Sequence, residues 1–347
     1  MTRTIDFRFV VVRGNADLCE IYPIEGSEPI IRMRDDADLK MSFSGSFVPD
    51  DRVDWLTDRI RPELILDGVS YPLGIFLPAT VRDRETESTR SVSVEAYDQC
   101  WLVRDYSTAT PVALASGTNY ITAVQTLLVQ AGIRQNIATA NAATLAELRA
   151  DWDIGTGYLK IVNELLDEIN YKPLWFNEQG LAILEPKKTP TAANIQHLLD
   201  NSQVKSLMLP AVSRETDIYS APNVYVCVCA NPDKTANMVA TSQNDNVNSP
   251  LSVARRGRSI VKTVKLNNIA SQQELQRYAD MLIQETMYAG ETIEITTGIF
   301  PGYGVADIIG LNLDGELSIC VEHAWEMRLR VGGEMRHTME KVVYAIE

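Results

Sequence analysis

The sequence predicts an α+β protein that is mainly β, with two β-barrel-like domains and inserted α+β and helical modules. Two blocks of short runs rich in β-branched and aromatic residues predict the β part: residues 3–105, and the region after residue 206. Residues 111–200 between them carry helical periodicities. At 347 residues the chain is too long for one ordinary core. Several domains are therefore expected.

The first domain is predicted over residues 1–108. Its strands are expected at residues 6–12, 18–24, 39–47, 63–66, 71–81 and 90–96. Asp67-Gly68 stands between two apolar runs and favours a tight hairpin turn, because both residues tolerate positive φ. Residues 97–104 close the block before the polar stretch 105–110.

An α+β domain is predicted over residues 109–205. Apolar residues at helical spacing predict a helix over 119–132 that ends at Gly132. A second helix is expected after Thr156, the predicted cap, with Leu165 on its apolar face. Residues 172–176 and 181–184 then predict a hairpin in which Gly180 takes a left-handed conformation.

The second β-barrel-like domain is predicted from residues 206–235 and 290–347, with a helical insertion at 236–289. Polar residues 231–258 predict a long loop. Ser271 and Glu274 form a capping box for a helix over 271–289 that Gly290 ends. Strands are expected at residues 207–209, 214–219, 223–230, 291–299, 305–311, 316–321, 324–331 and 335–344. Gly332-Gly333 predicts the turn between the last two.

Charge and cysteine usage exclude several classes of function. A net charge of −14 argues against binding a nucleic-acid backbone over a broad surface, which requires Lys and Arg. The N-terminal sequence does not resemble a signal peptide, and no apolar stretch is long enough to cross a bilayer. The five cysteines form no paired framework, so they are expected to be reduced, in a protein made in the cytosol.

No catalytic, cofactor-binding or metal-binding residues are predicted. The sequence has no nucleophile elbow, phosphate-binding loop or C-x-x-C motif, and its three histidines lack the spacing of a helical metal pair. A glycosidase can be built from paired carboxylates. The candidates here are Asp151, Asp153, Glu164, Asp167 and Glu168. Carboxylates on helix surfaces are usually only solvated, and that interpretation is preferred.

One basic segment is unusual in so acidic a chain. Arg255, Arg256 and Arg258 are followed closely by Lys262 and Lys265. Two interpretations stay open: a solvated loop, or a contact with an acidic surface of a subunit or partner. The candidate counterparts are Asp35, Asp36, Asp38, Asp50 and Asp51. Nucleic acid is not expected here, because no aromatic residues alternate with the cations to stack on bases.

The order of several motifs resembles that of prophage tail proteins of Gram-positive bacteria, within the baseplate hub family. A "(Y)-x-LG-x-F" strand at residues 71–76 precedes a "V-x-AYD" strand at residues 94–98. The segments GTNYITAVQTLLVQAGI, APNVYVCVCANP and RGRSIV resemble the parts that follow. Near the C-terminus, a "G-x-x-D-x-I" strand at residues 304–309 precedes a hairpin that contains Trp325. The resemblance covers nearly the whole chain.

The resemblance implies a structural role, without a cofactor, in the baseplate of a virion tail or of a phage-tail-like contractile particle. It implies a homotrimer with two tube domains per chain, whose pseudo-sixfold ring adapts the sixfold tail tube to the threefold central spike. The implied partners are tail tube or tube-initiator proteins, the spike, the tape-measure protein and the baseplate wedge. Neither a membrane nor sequence-specific nucleic acid is among them. The alternatives are a tail-associated peptidoglycan hydrolase and a carbohydrate- or receptor-binding tail module.

Overall fold

The chain forms two compact units. The first contains Met1–Lys188, Thr297–Val305 and Ala324–Arg336, and the second contains the remainder. In this computed structural model the described residues are 4–85, 90–202, 206–215, 221–229, 238–266, 269, 272–287 and 291–342. Strands outnumber helices in both units, so the predicted class, α+β and mainly β, is confirmed. The barrel-like domains and their boundaries stay predictions.

The first unit contains eleven strands and three helices. The strands are β1 (Ile5–Arg13), β2 (Ala16–Ile21), β3 (Ile30–Arg34), β4 (Met41–Phe47), β5 (Arg59–Leu66), β6 (Val69–Pro72), β7 (Leu77–Glu85), β8 (Arg90–Tyr97), β9 (Asn136–Ala138), β10 (Trp175–Phe176) and β11 (Ala182–Leu184). The helices are α1 (Cys100–Asp105), α2 (Tyr120–Gln130) and α3 (Tyr158–Glu168). One sheet has the order β2-β1-β5-β6, and β3, β4, β8 and β7 are consecutive neighbours in another.

Aromatic packing forms the core beneath these two sheets. The rings of Phe9 and Phe47 lie 5.4 Å apart, those of Phe43 and Phe76 5.5 Å apart, and all four side chains are buried. The "LG-x-F" motif belongs to this core: Gly74 has φ +122, and a Cβ there would meet the ring of Phe76. The predicted Asp67-Gly68 turn is confirmed, with positive φ at both residues and Leu66 paired to Val69.

The motif "V-x-AYD" joins this region to helix α1. Asp98 is buried, and its carboxylate accepts hydrogen bonds from the backbone amides of Met41 at 3.0 Å and Cys100 at 3.0 Å. Burial raises the pKa of Asp98 to about 6, although both amides oppose the shift. The motif residue therefore has a structural role.

Helices α2 and α3 and the small sheet β10-β11-β9 form the α+β module of the first unit. Its core includes Leu127, Leu128, Ile161, Leu165 and Phe176, all buried. The predicted helices and hairpin are confirmed, and Gly180 has φ +77. The predicted cap at Thr156 is wrong. Gly157 precedes the helix without a side-chain cap, and the Thr156 hydroxyl donates to the carbonyl of Asp153 instead.

The second unit contains most of nine further strands and two helices. The strands are β12 (His197–Asp200), β13 (Met208–Glu215), β14 (Val224–Cys229), β15 (Met238–Gln243), β16 (Val261–Leu266), β17 (Thr292–Gly298), β18 (Ile308–Leu313), β19 (Glu316–Arg328) and β20 (Glu334–Val342). The helices are α4 (Val253–Arg256) and α5 (Gln272–Met287). The last residues of β17 and β19 and the first residues of β20 belong to the first unit. A sheet of this unit has the neighbours β13-β17-β20-β19-β18-β12.

A separate sheet, β15-β14-β16, packs against α5. Strand β14 is antiparallel to β15 and parallel to β16. Cys227, Cys229 and Ala240 on one face of the sheet are buried with Leu275 and Ala279 of the helix. All five cysteines are free, as predicted. The proposed capping box at Ser271 and the stop at Gly290 lie outside the described residues.

Several predicted element boundaries are wrong. The run 71–81 is divided between β6 and β7, because residues 73–76 leave the strand around Gly74. The two strands predicted at 316–331 are one strand, β19, as are those predicted at 207–219, which are β13 within the described residues. Strand β3 was not predicted. The loop predicted at 231–258 contains β15 and α4, whose polar residues lie on exposed surfaces.

Candidate interaction surfaces

The carboxylates that could suggest a glycosidase are engaged in structural contacts in the α+β module. The indole of Trp152 donates to Glu164 at 2.7 Å, and Lys187 lies 3.0 Å from Asp167. The other two partnered members of the set, Asp151 and Glu168, both bind the guanidinium of Arg149. Pairing of this kind holds a loop against helices. Glu164 and Asp167 also line a surface pocket with Lys160 and Asn163, and each keeps the structural partner named above.

A second cluster of ionisable groups lies inside the second unit. Glu322 and His337 are fully buried and hydrogen-bonded to each other. Burial raises the pKa of Glu322, although His337 opposes the shift. Nearby, the carboxylate of Asp307 accepts from Gln196 at 2.9 Å and lies 3.3 Å from Nε2 of His197. These pairs connect β12, β19 and β20 with the start of β18, so the cluster joins four neighbouring strands.

Neither a metal site nor a membrane span is found in the described part of the chain. No group of three or more His, Cys, Asp or Glu residues there is arranged to hold a metal ion. The helices with described residues are all too short or too polar to cross a bilayer.

The outer face of the sheet β2-β1-β5-β6 is covered by charges that pair within the chain. Glu63 is 4% exposed and accepts hydrogen bonds from Arg8, Arg61 and Ser70. Burial alone would raise the pKa of Glu63, but these three donors hold it below its usual value. Arg61 also binds Asp17 through two hydrogen bonds. The charged groups of this face are therefore paired with one another within the chain.

The structure places the predicted contact residues beside an open strand edge. Helix α4 is capped by the Ser252 hydroxyl and ends at Gly257, which has φ +65. Arg256 donates to the carbonyl of Ala221 at 2.6 Å, so it anchors the segment. Arg255 and Arg258 are exposed.

The buried side chain of Asn223 fixes the residues that follow α4. Its amide donates to the carbonyl of Arg258 at 3.0 Å and accepts from the N–H of Ile260 at 2.6 Å. Strand β16 starts directly afterwards and carries the exposed Lys262 and Lys265. We call Arg255, Arg258, Lys262 and Lys265, together with strand β16, the basic edge.

One face of the sheet β15-β14-β16 is lined by valines. The register sets Val228 between Val239 and Lys265, and it sets Val226 between Thr241 and Thr263. Val239 and Val261 are 51% and 56% exposed. We call Val226, Val228, Val239 and Val261 the valine face. It lies opposite the face that packs on α5.

The predicted acidic counterparts lie in two loops of the first unit. Arg34 binds Asp36, and Arg52 binds Asp50, each through paired hydrogen bonds. The bonds from Arg52 lower the pKa of Asp50 to about 2. The Asp51 side chain is 97% exposed. The pairing of these loops with the basic segment stays a prediction.

The sequence indicated the cations of this surface but not its valines. Residues 261–265, Val-Lys-Thr-Val-Lys, include three β-branched residues that favour a strand, and this signal could have been used. The valine face could not be found in this way. Its members come from three separate segments and meet only through the register of β14 with its neighbours.

Comparison with solved structures shows that the chain shares the fold of tail proteins, including those of prophages. The chain is similar to the tail protein from Neisseria meningitidis MC58, with a TM-score of 0.70, 12% identity, and 97% of this chain and 96% of that one covered. No family model matches the sequence, and no curated protein matches it.

Two further structures share the fold. The 43 kDa tail protein of prophage MuSo2 from Shewanella oneidensis gives a TM-score of 0.68 at 10% identity over 96% of this chain and 98% of that one. The E. coli c3393 protein, a component of the type VI secretion system, gives 0.51 at 8% identity over 100% and 77%. That protein is described as structurally similar to the T4 bacteriophage tail proteins gp27 and gp5. The resemblance seen in the sequence motifs is confirmed at the level of the fold.

Proposed function

We propose that this chain is a structural baseplate hub of a phage tail or phage-tail-like contractile particle. Its similarity to tail proteins over nearly the full length of both chains is the observation that carries the proposal. The clusters of carboxylates described above are compatible with the proposal, because their hydrogen bonds and ion pairs connect neighbouring helices, strands and loops. On this proposal the protein acts by shape and contact, without catalysis.

The proposed assembly is a homotrimeric ring. Each chain contributes two β-rich regions, so three chains can present six similar units to a sixfold tail tube and keep threefold symmetry for a central spike. A heterologous interface that closes on itself gives such a cyclic ring. The similarity to a type VI component that is itself described as similar to the T4 tail proteins gp27 and gp5 supports a role in a tail or tail-like assembly. The proposed partners are tube or tube-initiator proteins and the spike, with the tape-measure protein and baseplate wedge nearby.

Arg255, Arg256 and Arg258 are proposed to lie at a subunit or partner contact. Arg256 anchors the segment to the carbonyl of Ala221, while Arg255 and Arg258 are exposed beside it. In a chain with a net charge of −14, this concentration of cations favours an acidic partner surface.

Locating the chain in purified particles tests the proposal. A gold-labelled tag on the protein should mark the end of the tube where the spike attaches, and particles made without the protein should lack a baseplate. Label along the tube or at the fibres would contradict the hub role. Cleavage of purified cell walls by the isolated chain would favour the hydrolase alternative, and binding on a glycan array would favour the receptor-binding one.

A further inference from the structure

The exposed edge of β16 offers backbone groups in a known direction. Both the N–H and the C=O of Ile260 point toward β14, because the carbonyl accepts from Val224 and the N–H donates to Asn223. Backbone groups alternate in direction along a strand. Those of Lys262 and Val264 therefore also point toward β14. Those of Val261, Thr263 and Lys265 point to the other side, where no strand of the described residues pairs with β16.

The side chains of these same three residues extend the valine face. Val261 pairs in register with Val224, Thr263 with Val226, and Lys265 with Val228. A strand added at this edge would thus form a ladder with three residues of β16. Its alternate side chains would lie next to Val261 and Thr263, while the cations of the basic edge would border it.

We infer that the edge of β16 binds an extended acidic segment of a partner protein, which adds as a fourth strand to the sheet β15-β14-β16. Main-chain hydrogen bonds to an exposed edge give such complexes their affinity, and alternate side chains give specificity. Here the alternate positions call for small apolar residues, such as valine, against the valine face. One carboxylate is needed near Lys262, on the α5 side of the sheet, and another near Lys265, at the end of the valine face. The inference deepens the proposed contact role of Arg255, Arg256 and Arg258 by naming the kind of partner.

A different protein is preferred over a second copy of this chain. Each of the other edge strands in the described sheets carries at most one carboxylate outside an ion pair. In β2, for example, Asp17 is bound by Arg61, and in β7 Asp83 is bound by Arg90. Pairing two edges of this chain would therefore bring little negative charge to Lys262 and Lys265. The competing account is that the two lysines only protect an edge strand from aggregation.

A peptide of the length of β16 tests the inference on the full chain. In the probe, valines take the positions beside Val261 and Thr263, and glutamates take the alternate positions and the position beside Lys265. The probe carries fluorescein and is blocked at both ends. The control peptide has lysine in place of glutamate. The acidic probe should bind at least about tenfold more tightly than the control. Amide hydrogen exchange should slow at Val261, Thr263 and Lys265 in its presence.

Two variants separate strand addition from simple charge attraction. Thr263→Pro removes one outward N–H, and proline is tolerated where an edge-strand N–H faces solvent. Thr263→Ala keeps that N–H and is the matched control. With circular dichroism unchanged in both, Thr263→Pro should weaken probe binding at least about tenfold, whereas Thr263→Ala should bind within about threefold of wild type.

Three results would overturn the inference. Equal binding of the acidic probe to both variants would show charge attraction without strand addition. No binding of the acidic probe would favour the protective role of the lysines. Self-association of the unliganded chain with protected β16 amides would assign the edge to a second copy. The probe experiment needs no particle, so it is independent of whether the chain forms a ring in a baseplate.

Discussion

Two sheets of this molecule combine valines and charged residues in opposite ways. On β2-β1-β5-β6, the guanidinium groups of Arg8 and Arg61 meet Glu63, and Val10 and Val12 on the same face are only 5% exposed. On β15-β14-β16, Val239 and Val261 stay half exposed. Lys262 and Lys265 are exposed, and the Lys262 ammonium lies 5.9 Å from the centroid of the Tyr225 ring rather than beside a carboxylate of the described residues. The first sheet uses its charges for its own stability, and the second presents them outward.

The largest effect on stability is expected in the core of the α+β module. Leu165→Asp places a carboxylate at a fully buried position of α3, within the apolar core of the module. The free energy of unfolding should fall by on the order of 4 kcal/mol, and the module should fail to fold. Lys160→Asp on the exposed side of the same helix is the control and should change stability by about 1 kcal/mol or less. Urea unfolding measures both. A Leu165→Asp variant as stable as the control would contradict the burial of this face.

The next largest effect on stability is expected at Asp98, whose carboxylate accepts hydrogen bonds from backbone amides and not from arginines. The pKa of Asp98 is about 6, above its unfolded value, so the folded state binds more protons between about pH 4 and 6. Its contribution to stability is present below pH 4 and is lost as the pH rises through 6, by on the order of 2–3 kcal/mol. Asp98→Asn should remove this slope, so the difference in unfolding free energy between wild type and the variant should change between about pH 4 and 6.

Comparing unfolding free energies of wild type and Asp98→Asn from pH 4 to 8 isolates this residue. The comparison is necessary because carboxylates with lowered pKa values, such as Asp50 and Glu63, give slopes of the opposite sign below their unfolded pKa values. A constant difference between the two proteins across the whole range would show that Asp98 does not titrate in this way.

A smaller loss of stability is expected from removing the ion pairs of Glu63 on the sheet β2-β1-β5-β6. Glu63→Gln removes the shared charge of Arg8 and Arg61 while keeping an oxygen acceptor. Because both arginines are partly exposed and can be solvated, stability should fall by about 1–2 kcal/mol. Lys262→Gln on the open sheet should leave stability within about 0.5 kcal/mol. Similar losses in the two variants, measured by thermal unfolding, would remove the distinction between the sheets.

The smallest effect on folding, but a clear one on assembly, is expected at the basic segment. Triple substitution of Arg255, Arg256 and Arg258 by Glu should lower the yield of trimer or particle, most at low salt where repulsion is least screened. Single alanine substitutions should be nearly silent, because exposed pairs contribute about 0–1 kcal/mol. The control carries Glu at Arg134, Lys188 and Arg336, which are exposed elsewhere. Wild-type yield of the first variant across a salt series would exclude the contact.

The sequence predicted those helices and turns whose formation depends mainly on residues close together in the chain. The periodicity of apolar residues defined α2 and α3, and Asp67-Gly68 and Gly180 defined turns that need positive φ. Strand β3 was missed because Arg32 and Arg34 alternate with Ile31 and Met33 in a run of only five residues. Strands β15 and β16 were missed because polar residues interrupt their apolar residues, so neither shows a regular alternation.

Features that depend on distant pairing could not be predicted. The shared hydrogen bonds of Glu63 arise only when β1 and β5 align Arg8 with it. The surface role of the arginine segment was predicted from charge alone, yet its position beside an open edge depends on the pairing of β14 with β16. Sequence therefore identified the charged residues, and the register decided which of them are paired.

The copy number of this chain in an isolated baseplate tests the central proposal most directly. Quantitative mass measurement of the baseplate, combined with images viewed along the tail axis, gives both stoichiometry and symmetry. The proposal predicts three copies in one closed ring with a six-lobed outline. One or two copies per baseplate, or an open arrangement without threefold symmetry, would contradict it.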